Sequence, residues 1–167
     1  MEKICAFTGH RPSGFDFGYD ENDPRCLAVK ERIMQETEEH IRNGFGIFYS
    51  GMAEGADIWA AEAVMQLKAA YPHIRLIAAV PFIGQRDRLH REYVDRYDKI
   101  LSSCDGVAVI SEKFIKSCYR KRNRFMVDKC DALIAIYDES KYRSGSAQTV
   151  RYARSVGKDV TIISQQK

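Results

Sequence analysis

The chain has 167 residues, of which 45% are hydrophobic and 29% charged. These ordinary globular values exclude a disordered, collagen-like or coiled-coil chain, and the length suits one domain over residues 1–167. Lys and Arg number 26 against 23 Asp and Glu, a net +3 from which nucleic acid is not expected as a partner.

The N-terminal apolar segment stops at Thr8-Gly9-His10, too short for a signal peptide. No apolar run approaches the roughly 18–20 residues of a membrane span. A soluble, cytoplasmic protein is expected, with no membrane partner. The five cysteines (Cys5, Cys26, Cys104, Cys118 and Cys130) are odd in number and widely spaced. Without a C-x-x-C or a His/Cys cluster they read as buried thiols, and no metal site is expected.

In chain order, the first strand spans residues 4–8 and the long polar loop Ser13 to Asn22 follows it. Asp23-Pro24 then gives an N-cap followed by proline at the first helical position. Leu27, Met34 and Ile41, supported by Ile33 and Thr37, mark that helix's buried face, and Asn43-Gly44 stops it. A strand at 47–50 leads to an alanine-rich helix over about 56–70, which contains Trp59, Val64 and Leu67. Next come a strand at 75–80 and a helix marked by Leu89, Tyr93, Tyr97, Ile100 and Leu101. Strands at 107–111 and 132–137 flank a helix marked by Tyr119, Phe125, Met126 and Cys130. A helix over 147–156 and a strand at 160–164 end the chain.

Several strands are apolar at nearly every position, as in a sheet covered on both faces. Regular strand–helix alternation with right-handed crossovers predicts a Rossmann-like three-layer α/β/α fold, its mostly parallel sheet holding about six strands.

In such sheets ligands bind outside the carboxyl ends of the strands, where the strand order reverses. The unusual residues fall there: Thr8-Gly9-His10-Arg11-Pro12 after the first strand and Ser50-Gly51-Met52-Ala53-Glu54-Gly55-Ala56-Asp57 after the second. Ser144-Gly145-Ser146-Ala147-Gln148-Thr149 follows the fifth. Each leads into a helix N-terminus, whose free N–H groups and dipole favour an anion. Gly51 and Gly55 serve either a tight strand–helix turn or the close approach of a phosphate to the backbone. His10 and Arg11 suit a phosphate or carboxylate, or else bond neighbouring loop carbonyls. Glu54 and Asp57 suit a helix N-terminus for structural reasons alone, while Asp57 also fits ribose hydroxyls. The segment 113–129 concentrates Lys113, Lys116, Arg120, Lys121, Arg122, Arg124 and Lys129, which form either a solvated face or an anion site.

These three motifs together resemble the YpsA-type proteins of the SLOG superfamily of Rossmann-like nucleotide-ligand binders, over essentially the whole chain. The resemblance implies a nucleotide ligand of the AMP, ADP-ribose or NAD type, with no certain cofactor and with a homodimer as the assembly. It also implies ligand contacts from Thr8, Gly9, His10, Arg11, Ser50, Gly51, Glu54, Gly55, Asp57, Arg122, Gly145, Ser146, Gln148 and Thr149. Arg122-Asn123-Arg124-Phe125-Met126 is similar to the Arg-Lys-x-x-Met stretch of the LOG enzymes, which hydrolyse N-glycosidic bonds of nucleoside monophosphates. Gly145-Ser146 matches the Gly-Thr of their second motif, but Thr149 occupies the position of their catalytic glutamate. Glycosidic hydrolysis needs a carboxylate near the sugar, for which Glu54 and Asp57 are the candidates. Three functions stay open: a nucleotide-binding protein or sensor, an N-glycosidic hydrolase acting on a nucleotide or ADP-ribose-like substrate, and a protein-interaction module using Phe15, Phe17 and Tyr19.

Overall fold

A computed structural model describes residues 2–165. Six strands run in chain order as β1 (Lys3–Gly9), β2 (Phe45–Ser50), β3 (Arg75–Val80), β4 (Gly106–Val109), β5 (Ala132–Ile136) and β6 (Asp159–Ile163). They form one all-parallel sheet in the order β4-β3-β2-β1-β5-β6. Five helices connect them: α1 (Pro24–Arg42), α2 (Ala56–Leu67), α3 (Arg91–Ser103), α4 (Cys118–Lys129) and α5 (Gly145–Ser155). This is the three-layer Rossmann-like arrangement expected from the alternation of patterns.

The two-residue period of a strand sorts side chains between the two outer layers. Cys5 and Phe7 of β1, with Ile134 and Ile136 of β5, pack toward α1, α2 and α3. Ala6 of β1, with Leu133 and Ala135 of β5, packs toward α4 and α5. All five residues of β5 are buried, which explains its unbroken apolar run.

Asp23 caps α1, its carboxylate accepting the Arg25 N–H at 2.8 Å, and Gly44 ends the helix region at φ +96°. The face expected from Leu27, Met34 and Ile41 is offset. The buried residues are Cys26, Val29, Ile33, Thr37 and Ile41, while Leu27 is 52% exposed. Steps of three and four track the helical period, whereas a strict seven-residue step drifts off it. Some boundaries also shift: α2 ends at Leu67, β4 at Val109 and β5 at Ile136, and α5 starts at Gly145.

Strands β1 to β4 spread in one direction and β5 then returns to the other side of β1. The strand order therefore reverses between β1 and β5. The β4–β5 connection must recross the sheet, and α4 lies along that return, contacting both β3 and β1. The fold thus brings α4 beside the loops that follow β1, β2 and β5.

Candidate functional site

At the carboxyl ends of the strands, beside the reversal point, lies a cleft of about 230 Å³. Thr8, Gly9, His10 and Arg11 of the β1 loop line it, with Ala53 and Asp57 from the β2–α2 segment. Tyr119, Arg122 and Asn123 of α4 and Gly145 and Ser146 of α5 complete the wall. The three motifs and the basic helix therefore share one edge of the sheet.

Close approach of backbones shapes this edge. At Gly9, a β-carbon would lie 2.4 Å from Ala56 Cβ and 2.7 Å from the Ile136 carbonyl oxygen. Gly55 has φ +88°, and a β-carbon there would lie 2.7 Å from the His10 carbonyl oxygen. The His10 carbonyl in turn accepts the Ala56 N–H at 3.1 Å, so the α2 N-terminus is docked on the β1 loop. The turn alone therefore demands Gly55.

The β2–α2 loop is held by its own polar groups. Ser50 Oγ donates to the Asp57 carbonyl at 2.8 Å and accepts the Met52 N–H at 3.2 Å. Asp57 Oδ2 accepts the Ala53 N–H at 3.2 Å. Met52 carries φ +62° with its side chain fully buried, a strained conformation that this loop network sustains. Ser50 lies behind the cleft, not in it.

His10 is a core-facing residue. Its Nε2 accepts the Asp138 N–H at 2.9 Å, and its ring meets Phe15 and Tyr137 edge-on. Burial, reinforced by Lys141, pulls its pKa down to about 4, so the imidazole is neutral at pH 7 with Nε2 occupied. Of the expected cationic pair after β1, only Arg11 carries charge into the cleft. The Arg11 side chain lies over the Tyr119 ring, 5.0 Å from its centroid.

Arg122 is only 5% exposed and its guanidinium donates to the Gly51 carbonyl and, at 2.8 Å, to Asn123 Oδ1. Burial opposes its charge, while the nearby Asp57 carboxylate favours it. A guanidinium keeps its proton under such conditions. Asp57 shows the reverse balance. Burial pushes its carboxyl up, and Arg122, the Ala53 N–H and Arg11 pull it down.

The structure separates the two carboxylate candidates. Glu54 accepts the Tyr19 hydroxyl on one oxygen and the His90 N–H, at 2.7 Å, on the other. It clips the long loop to the start of α3 and does not line the cleft. Asp57 alone among the described carboxylates lines the cleft. Phe15 and Phe17, expected as an interaction surface, are buried against Trp59 because three aromatic rings pack together there.

Ser144 caps α5, its hydroxyl accepting the Ala147 N–H at 3.1 Å. Thr149 Oγ1 donates to the Gly145 carbonyl at 2.8 Å, so the hydroxyl at the LOG glutamate position is spent inside the helix. Gln148 and Thr149 line a neighbouring groove of about 280 Å³ between α4 and α5, not the cleft. The cleft and groove share Tyr119, Asn123 and Gly145. Neither Tyr119 nor Asn123 stands out in the sequence as a site residue. The usable signal is their spacing, since 119 and 123 are four apart and adjoin Arg122 on one helix.

A Rossmann-like α/β protein with a ligand-sized crevice at its strand-order reversal is what this fold and edge define. The chain belongs to the YpsA family, described as the YspA SLOG family, whose family model matches residues 5–167. UPF0398 proteins of Bacillus thuringiensis (strain Al Hakam) and Bacillus cereus (strain AH187) are each 32% identical to it over 143 residues. Those matches cover 83% of this chain and 76% of the relatives.

A solved structure of DNA processing protein A from Helicobacter pylori, whose description concerns its single-stranded DNA binding mode, is similar with a TM-score of 0.63. Identity is 20%, and the match covers 98% of this chain but 66% of that one, so the likeness is one of fold. It corrects the expectation against nucleic acid. A net charge of +3 does not bar nucleic acid, because net charge does not report where the cations lie. Among the described residues, no helix is long and apolar enough to cross a membrane.

Proposed function

We propose that the cleft binds a nucleotide or nucleotide-sugar ligand through its phosphate. The observation that carries this reading is the meeting of Arg11, Arg122 and the first turn of α5, at Gly145 and Ser146, around one cavity. First-turn amides have no intrahelical partner and lie at the positive end of the helix dipole, which suits an anion. Arg11 offers the planar fork that matches phosphate, and Arg122, whose Nε and Nη1 bond Asn123 and Gly51, adds positive charge behind it. Asp57, the cleft's carboxyl, is placed to accept ribose hydroxyls.

Binding without turnover is the form of the reading that the site supports best. The threonine at the LOG glutamate position bonds its own helix, Glu54 is committed to Tyr19 and the His90 N–H, and the remaining carboxyl, Asp57, accepts the Ala53 N–H on Oδ2. The test is thermal denaturation with AMP, ADP-ribose and NAD, followed by analysis of the mixture for free base or ribose. Stabilisation by at least one of them with no product supports the reading. No stabilisation by any at millimolar concentration removes it, and released base or ribose replaces it with hydrolysis.

A further inference from the structure

The groove between α4 and α5 differs in character from the cleft it adjoins. Lys116, Arg120 and Arg124 line it, and no acidic residue does among the described residues. Arg120 and Arg124 stand four residues apart on one side of α4, and Lys116 lies in the turn that leads into the helix. None of them is ion-paired among the described residues, whereas Lys30, Lys68, Arg86 and Arg96 elsewhere all face carboxylates. Arg124 instead lies over the Tyr152 ring at 4.6 Å. The Tyr152 hydroxyl donates to Asp128 Oδ1 at 2.6 Å, which fixes that ring at the groove wall.

The cleft holds about 230 Å³ and the groove about 280 Å³. The two chambers adjoin, so a ligand too long for either can span both. Gly145, at the start of α5, is common to both. Its α-carbon faces open space, since a β-carbon there would meet nothing within 4 Å. A chain of ligand atoms can therefore pass that point from one chamber to the other.

We propose that the α4–α5 groove is a second subsite of the same site, taking a second nucleotide unit joined to the first through phosphate. Lys116, Arg120 and Arg124 receive the additional phosphate charge, and Tyr119 and Tyr152 offer ring faces for a base. The inference rests on the cleft reading and extends it from a mononucleotide to a ligand of at least two units. A soluble dinucleotide and a longer single strand share this chemistry.

The test compares AMP, NAD, 5′-phosphorylated dApdA and a 5′-phosphorylated dA12 strand on the full chain, by thermal stabilisation and by competition against a fluorescent dA12. The variant Lys116→Glu/Arg120→Glu reverses two exposed charges outside the cleft. We expect a two-unit ligand to bind at least about tenfold tighter than AMP, with added salt weakening the advantage. The double variant should remove that advantage and leave AMP stabilisation unchanged. Tighter binding by dA12 than by dApdA or NAD identifies a strand, and the opposite order a soluble dinucleotide. AMP binding with no gain from a second unit overturns the subsite alone, as does a gain that the double variant leaves intact. Silence from every ligand, AMP included, overturns the cleft reading with it.

Discussion

Arg122 donates to the Gly51 carbonyl, and its guanidinium fills the space in front of that glycine. A residue of α4 is thereby tied to the loop after β2, 71 positions earlier in sequence. Gln85 Nε2 donates to the same carbonyl at 3.1 Å. One loop oxygen gathers donors from two other segments, and this holds the cleft wall together.

The Gly51→Ala substitution tests that tie. A β-carbon would lie 2.6 Å from Arg122 Nη1 and 2.7 Å from its Cζ. The guanidinium is buried, and moving it aside strains its bond to the Gly51 carbonyl. Overpacking of this kind costs about 1–3 kcal/mol. Where backbone angles are ordinary, alanine for glycine would be expected to separate binding from folding. With Arg122 in place, both should fall together, visible as a lower Tm and the loss of AMP stabilisation in one titration. An unchanged Tm would show that Arg122 moves freely.

Gly55 fails as a clean probe for a different reason. Its φ of +88° is a conformation side chains rarely adopt, and a β-carbon would strike the His10 carbonyl oxygen and Pro12 Cδ. We expect Gly55→Ala to lose about 1–3 kcal/mol whether or not any ligand exists. Urea denaturation of the ligand-free protein measures this, and a loss under about 0.5 kcal/mol would contradict it.

Two groups should impose separate steps on the acid side of the stability profile. His10 titrates at about 4 in the folded protein against 6.5 normally, so between these values the unfolded chain binds more protons. Stability from His10 is complete above about 6.5 and is lost as pH falls toward 4. The shift corresponds to about 3 kcal/mol at most. Glu21 is opposed by burial but held down to about 2 by Arg96, Lys30 and Tyr93, against 4.5 normally. Its contribution is present above 4.5 and fades as pH falls toward 2. Urea titrations at pH 7, 5 and 4 should show the first step in the wild type and a flattened one in His10→Gln. A profile flat from pH 7 to 5 in both would mean that the imidazole is not buried neutral.

The sheet was readable because its strands are covered on both sides, which makes runs such as 132–136 apolar throughout. The edge location of the three glycine motifs was readable too, since it follows from strand–helix alternation. The assignment of individual side chains was not. Whether His10 is charged depends on Asp138, Phe15 and Tyr137, which the chain brings to it from both directions. Ser50 and Glu54 look like ligand groups in a list of residues, yet their partners are Asp57, Met52, Tyr19 and His90. The contribution of Tyr119 and Asn123 depends on α4 recrossing the sheet, which strand order decides and local pattern does not. Leu27 misled because a heptad step looks amphipathic over about four turns while drifting off the true 3.6-residue face.

Arg11 offers the separation of binding from folding that neither glycine can. It is exposed, has no ion-pair partner among the described residues, and rests on the Tyr119 ring at 5.0 Å. An exposed cation–π contact contributes roughly 0.5–1 kcal/mol, so Arg11→Ala should lower stability by no more than that. A charge-assisted bond to a phosphate is worth about 1.5–3 kcal/mol, which corresponds to roughly a tenfold to hundredfold loss of affinity. Arg11→Lys keeps the charge but gives up the planar fork, and it should recover only part of the affinity. Calorimetric titration of the three proteins with the best-stabilising nucleotide, at fixed salt, orders them as wild type, lysine variant, alanine variant. Equal affinities across all three would show that no phosphate reaches this arginine, and the cleft would then lose its one exposed cation as a ligand group.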